Sequence, residues 1–209
     1  MLKLFQMKER EEERSPTIPI EFIYDPNFVP EVSSSGIAEH QLSEDQVKDY
    51  SFLVSQQWSG EIGQSLFTSF QSILRIDRHF FQKPLACHIL RSRIKLSDSF
   101  FIEAISKPLA VWAIPPDQKW GYLPFHTRLI HEITHRSISL IPKSIWEVFE
   151  DEVWQENNGN FNLPPERELL DELVVRKITQ RITSQCFGQE FGDWFQEREA
   201  KIRGSRENL

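Results

Sequence analysis

Cysteine is nearly absent: Cys87 and Cys186 are the two in 209 residues. They stand far apart and form no C-x-x-C pair, so they read as two buried thiols in a reducing compartment rather than as a disulfide framework. No apolar run reaches the roughly 18 residues that a bilayer span needs. The opening MLKLFQMKEREEER carries too short an apolar patch for a signal peptide and runs straight into charge. The expectation is a soluble, cytoplasmic protein with no membrane partner. A basic excess is missing too, with 24 Lys and Arg against 31 Asp and Glu and a formal net charge of −7. No basic stripe interleaved with aromatics offsets this, so nucleic acid is not an expected partner. There are no internal repeats and no fused helix-turn-helix.

What is present supports a real core. Hydrophobic residues make up 39% of the chain, with 16 Phe and 6 Trp, which favours a packed domain over disorder. Residues 1–42 read as an N-terminal extension, partly disordered: the charge run Lys8–Arg14, a possible strand at Thr17–Tyr24, then a Pro- and Ser-rich loop. The domain proper is expected over 43–200. Ser43-Glu44-Asp45-Gln46 is a capping-box pattern that opens a helix, and a second helical pattern follows a kink at Ser59-Gly60. Leu85–Leu96 and Leu109–Ile114 read as strands, with Ser99–Ser106 ambiguous between strand and helix. A helix entered at Leu123-Pro124 ends at Pro142. Helices at about Lys143–Gln155 and Glu166–Thr183 follow, and an aromatic tail from Gln185 is expected to dock on the core. Residues 201–209 are expected to fray. The fold class is α+β: a small mixed or antiparallel sheet with N-terminal and C-terminal helices around the helix of residues 125–139.

That helix carries the chemistry. His131-Glu132-Ile133-Thr134-His135 has the pattern H-E-x-x-H, and positions i and i+4 share a helix face. His131 and His135 can therefore offer two imidazoles to one metal ion, with Glu132 beside them to handle a proton. A catalytic zinc takes three protein ligands and leaves one position open. A third histidine at close spacing is missing, because Arg136–Leu140 holds neither Gly nor His. A carboxylate from a later helix is the other common solution. One helix offers Glu147, Glu150, Asp151, Glu152 and Glu156, clustered as on a solvated face. The next offers Glu166, Glu168, Asp171 and Glu172 beside a strongly apolar side. The second is preferred: Glu168 first, Glu172 close behind, Asp171 third, since Glu168 and Glu172 lie i, i+4. Tyr122, His126 and Arg128 are candidates for stabilising an oxyanion.

An H-E-x-x-H helix followed by a carboxylate-bearing helix resembles the zincin metallopeptidases, and in particular their glutamate-ligand branch, the gluzincins. There the third-ligand helix typically reads Glu-x-x-x-Asp, and Glu168-Leu169-Leu170-Asp171-Glu172 is similar, with Glu in the final place. The resemblance covers about residues 85–183. It implies a zincin-like fold, a Zn2+ cofactor, and hydrolysis of a protein or peptide substrate by metal-activated water, with Glu132 as general base. It also implies a sheet before the motif helix whose edge strand, here Leu109–Ile114, pairs with extended substrate. Two other readings stay open at this point. One is a non-catalytic interaction module with a vestigial site. The other is a metal-dependent hydrolase or oxygenase of a non-peptide substrate, for which a closed pocket rather than an open strand edge is the mark.

Overall fold

The computed structural model describes residues 17–24, 42–76, 84–90, 109–114, 116–156 and 167–204. The expectations for Lys8–Arg14, for Ser99–Ser106 and for the far end of the first strand beyond Leu90 lie outside them. The described chain is mostly helical with one small sheet, an α+β architecture.

The sheet has three strands, β1 (Ile20–Ile23), β2 (Leu85–Leu90) and β3 (Leu109–Trp112), in the order β1-β2-β3. Both pairings are parallel, with Ile20 opposite Leu85 and Cys87 opposite Leu109. This corrects the expected mixed or antiparallel sheet. The reason is visible in composition: LACHIL and LAVW are nearly continuous apolar runs, which suit strands covered on both faces. Parallel neighbours also need long crossovers, and α1 and α2 supply the one from β1 to β2.

The possible strand at Thr17–Tyr24 is present as β1, hydrogen-bonded into the sheet. Ile18 is fully buried, and its carbonyl accepts from Trp58 Nε1 at 2.7 Å. Phe22 packs edge-on against Trp58, with ring centroids 6.3 Å apart.

Helix α1 (Glu44–Gln57) starts on the expected capping box: Ser43 Oγ accepts from Gln46 N–H, and Gln46 Oε1 accepts from Ser43 N–H. A π-helical turn at Trp58–Ile62 marks the expected kink, with Gly60 outside helical geometry. Helix α2 (Gly63–Leu74) follows at once. Gly63 has to be glycine, because a Cβ there would lie 2.1 Å from the Trp58 carbonyl oxygen.

Helix α3 (Leu123–Ser137) carries the motif and takes Pro124 in its first turn. It is buried on most sides because β3 and α5 both pack on it. Phe125, Leu129, Ile130 and Ile133 have no exposed surface. Thr134 and Ser137, polar but buried, donate back to the carbonyls of Ile130 and Ile133. A 3-10 turn at Ile138–Leu140 closes the helix ahead of Pro142.

Helices α4 (Lys143–Glu156), α5 (Arg167–Phe187) and α6 (Gln189–Gly204) complete the molecule. Along α5, Val174, Val175, Ile178 and Ile182 are fully buried. The aromatic tail docks as expected, and it does so as a regular helix that runs on to Gly204, past the start of the expected fray. Phe191 is fully buried against Trp120, with centroids 5.2 Å apart. Both cysteines are free thiols; Cys87 is buried in β2, and Cys186 on α5 lies 3.1 Å from Ser69 Oγ. No described helix is long and apolar enough to cross a membrane.

Candidate metal centre

His131 and His135 project from one face of α3 towards α5. Their Nε2 atoms are 3.1 Å apart. From α5, Glu172 Oε2 reaches His135 Nε2 at 2.9 Å and His131 Nε2 at 3.6 Å. Both imidazoles are 9% exposed and the carboxylate 15%. One donor atom from each of the three residues falls within 4.8 Å of the others.

The donor set fits a metal. Two imidazoles and a carboxylate are a known ligand set for catalytic zinc. Tetrahedral bonds of about 2.0–2.1 Å place neighbouring donors roughly 3.3 Å apart, and the three separations here bracket that spacing. Hydrogen bonding alone serves the cluster poorly. His135 Nε2 lies within reach of both His131 Nε2 and Glu172 Oε2, and a ring nitrogen carries at most one proton. A cation at the centre satisfies all three donors together.

The electrostatics favour an ionised ligand. Burial by itself would raise the Glu172 carboxyl. The hydrogen bonds to His131 and His135 and the charge of Arg176 override it and hold the group well below the ordinary carboxylate range. The two oxygens of Glu172 have separate partners: Oε2 faces the imidazoles, while Oε1 accepts from Arg176 Nε. That second contact fixes the carboxylate's orientation, the role that outer partners take around metal sites. Arg176 was not a candidate on sequence grounds. Its signal is the Glu-to-Arg i, i+4 spacing along α5.

The other carboxylate candidates fall as follows. Glu168 stands one turn earlier on α5, and its side chain lies outside the described residues. Asp171 turns to Arg167, 3.0 Å away on the same helix, and burial raises its pKa. Glu166 is outside the described residues. On α4, Glu150 pairs with Arg167, Glu152 with Arg181 and Glu156 with Lys177, all reaching across to α5. Glu147 pairs with Lys143. Among the described residues, Glu172 is the carboxylate brought to the two histidines.

Glu132 stays outside the donor cluster. It is half-buried on α3. Burial first, and then the charge of Glu132, push the Cys87 thiol up. The three oxyanion candidates separate. His126 sits in the core, bonded through Nε2 to Gln57 Oε1 at 2.8 Å, and burial lowers it to about 3. Tyr122 packs edge-on against Tyr50. Arg128 lines the same cavity as His131.

That cavity, of about 280 Å³, lies among α3, α4, α5 and α6. Its wall is helical. β3, the expected substrate edge, contributes nothing to it, although among the described strands β3 does have one unpaired side.

No protein-family model, no curated protein and no solved structure matches this chain.

Proposed function

We propose that the protein is a zinc-dependent hydrolase of the H-E-x-x-H type that cleaves amide bonds; the helical wall of the cavity, to which β3 contributes nothing, favours a small amide over an extended peptide paired along a strand edge. The observation that carries this reading is the convergence of His131 Nε2, His135 Nε2 and a Glu172 oxygen within 4.8 Å.

His131, His135 and Glu172 would hold the ion, and Arg176 would hold Glu172. When bound, zinc supplies a Lewis acid and brings the pKa of a bound water towards about 7. Glu132, the motif side chain left outside the ligand set, takes the proton of the attacking water and passes it to the leaving nitrogen. Oxygen adds to the carbonyl carbon, the carbon–nitrogen bond breaks, and an acid and an amine leave. The low exposure of the imidazoles keeps bulk water from competing for the ligands.

A zinc titration of the chelator-stripped full chain, followed by assay on short peptides and acylated amino acids, tests the proposal. One zinc per chain is expected, lost in His135→Ala. Glu132→Gln is expected to keep zinc and to lose about 10²- to 10⁴-fold in rate, the usual share of general-base catalysis. A wild-type chain that takes no zinc, or a Glu132→Gln variant of full activity, contradicts it.

A further inference from the structure

The cations that line the cavity beside His131 are all engaged. Arg176 pairs with Glu172, and Lys177 with Glu156. The Arg128 guanidinium lies over the Phe195 ring, 5.9 Å from its centroid. Uncharged polar groups of the wall are engaged as well. Gln180 donates to Gln196 at 2.6 Å, and the Thr179 hydroxyl donates to the Val175 carbonyl at 2.8 Å. A charged ligand would have to break one of these pairs or enter a low-dielectric space without a partner, and either is costly. An uncharged apolar group meets neither cost.

The wall also offers apolar surface, from Val153, Leu173 and Phe195. Phe195 is the large apolar side chain that α6 contributes, and two neighbours fix it. The fully buried Phe191 ring has its centroid 6.1 Å from that of Phe195. Gly192, three residues before Phe195 and so on the same helix face, lets α6 come close to α5, since a Cβ there would lie 2.1 Å from Ser184 Oγ. The cavity measures about 280 Å³. One of roughly 150 Å³ takes a benzene molecule, so this one has room for a ring-sized group and a few atoms beside it. Of the three metal-site donors, His131 lines the cavity, so a group seated there lies next to the candidate metal position.

We propose that this cavity takes the uncharged apolar group next to the scissile amide of a small substrate, with Phe195 as the specificity-determining residue that limits the size of that group. The proposal rests on the hydrolase reading above and narrows its substrate class. Preference for an apolar group over a charged one comes from a wall whose charges are already paired. The upper limit on size comes from a ring that Phe191 and Arg128 hold between them.

Ligand-observed NMR titration of the zinc-free full chain gives the test, because the cavity then has to bind without help from a metal. The probes are hydrocinnamamide, hydrocinnamate, acetamide and the bulkier biphenylacetamide. Hydrocinnamamide is expected to bind at least about tenfold tighter than acetamide, the effect of burying one apolar side chain. It is also expected to bind tighter than hydrocinnamate, which differs from it by a charge. Phe195→Ala is expected to raise the affinity for biphenylacetamide at least about tenfold, and Leu173→Phe to weaken hydrocinnamamide by narrowing the cavity. Hydrocinnamamide binding no tighter than acetamide, or hydrocinnamate binding as tight as its amide, overturns the proposal whatever the variants do. So does a size preference that neither variant moves, which would put the binding elsewhere on the chain. The two readings fail separately. A chain that takes zinc but does not discriminate among the probes overturns the pocket alone; one that discriminates but takes no zinc overturns the hydrolase reading.

Discussion

Helix α5 meets acidic chemistry on two flanks, and they differ in kind. Towards α4 it sends cations: Arg167, Lys177 and Arg181 pair with Glu150, Glu156 and Glu152. Those pairs are at least partly exposed, Glu156 at 57% and Arg181 at 48%, where ion pairs contribute little. Towards α3 it sends one anion, Glu172, which is 15% exposed and faces two imidazoles that are 9% exposed. The number of acids says nothing about which flank is a site. What separates them is the facing group and its burial: opposed charges that neutralise each other on one side, and three converging lone-pair donors on the other.

Substitution breaks the comparison most sharply at its two extremes. Glu172→Ala is expected to weaken zinc binding by more than about 100-fold, beyond what loss of an outer partner costs. Isothermal titration with zinc measures it; an affinity close to wild type would mean that Glu172 is no ligand.

A third histidine on α3 sharpens the point that burial alone makes no metal site. His126 is buried as deeply but has an aromatic surround and a single amide partner, Gln57. Unfolded, a histidine titrates near 6.5; in the fold, burial lowers His126 to about 3. The unfolded chain therefore binds the proton first. Its contribution to stability is complete above pH 6.5 and is lost as pH falls towards 3, at about 1.4 kcal/mol per unit. Denaturant unfolding at pH 6.5 and pH 5 reads this, and His126→Gln should flatten the slope. An unchanged stability in the wild-type chain over that window would count against a buried neutral His126.

Arg176→Gln comes next. It leaves the three donors in place but frees Glu172 Oε1, so zinc affinity is expected to drop about 10- to 100-fold. Rescue by Arg176→Lys should be partial, because a lysine offers charge without the fixed fork. Zinc affinity equal to wild type would reduce Arg176 to a surface pair.

The smallest effect belongs to the other flank. Glu152→Ala removes a two-pronged pair with Arg181, yet it should cost no more than about 1 kcal/mol in stability and nothing in zinc affinity. A loss of zinc there would erase the distinction between the flanks.

The legibility of the site follows the range of the forces that build it. Two histidines at i, i+4 are a local fact, and so is the capping box at Ser43; both were readable directly. The third donor was legible only as a helix, not as a residue. Glu168 and Glu172 share a face by spacing, and which one stands opposite His135 depends on how α5 lies against α3, which no local pattern encodes. The apolar side of α5 gives no guide either: Leu169 is 50% exposed, while Leu170 is buried. The parallel sheet was hidden for a related reason. With Thr17–Tyr24 read as part of an extension, two strands and the ambiguous Ser99–Ser106 are left, and no local pattern sets their direction; the long-range pairings of β1 with β2 and of β2 with β3 decide it. The cavity was hidden too, since Arg128 and Arg176, which both line it, are 48 residues apart in the sequence.

The central claim is that α3 and α5 build one metal site. Diffraction from a zinc-soaked crystal of the full chain, collected at the zinc edge, tests it most directly. The account predicts one strong anomalous peak bonded to His131 Nε2, His135 Nε2 and a Glu172 oxygen at about 2.0–2.2 Å. A peak among Glu147–Glu156 on α4 instead, or no peak between α3 and α5, would contradict it.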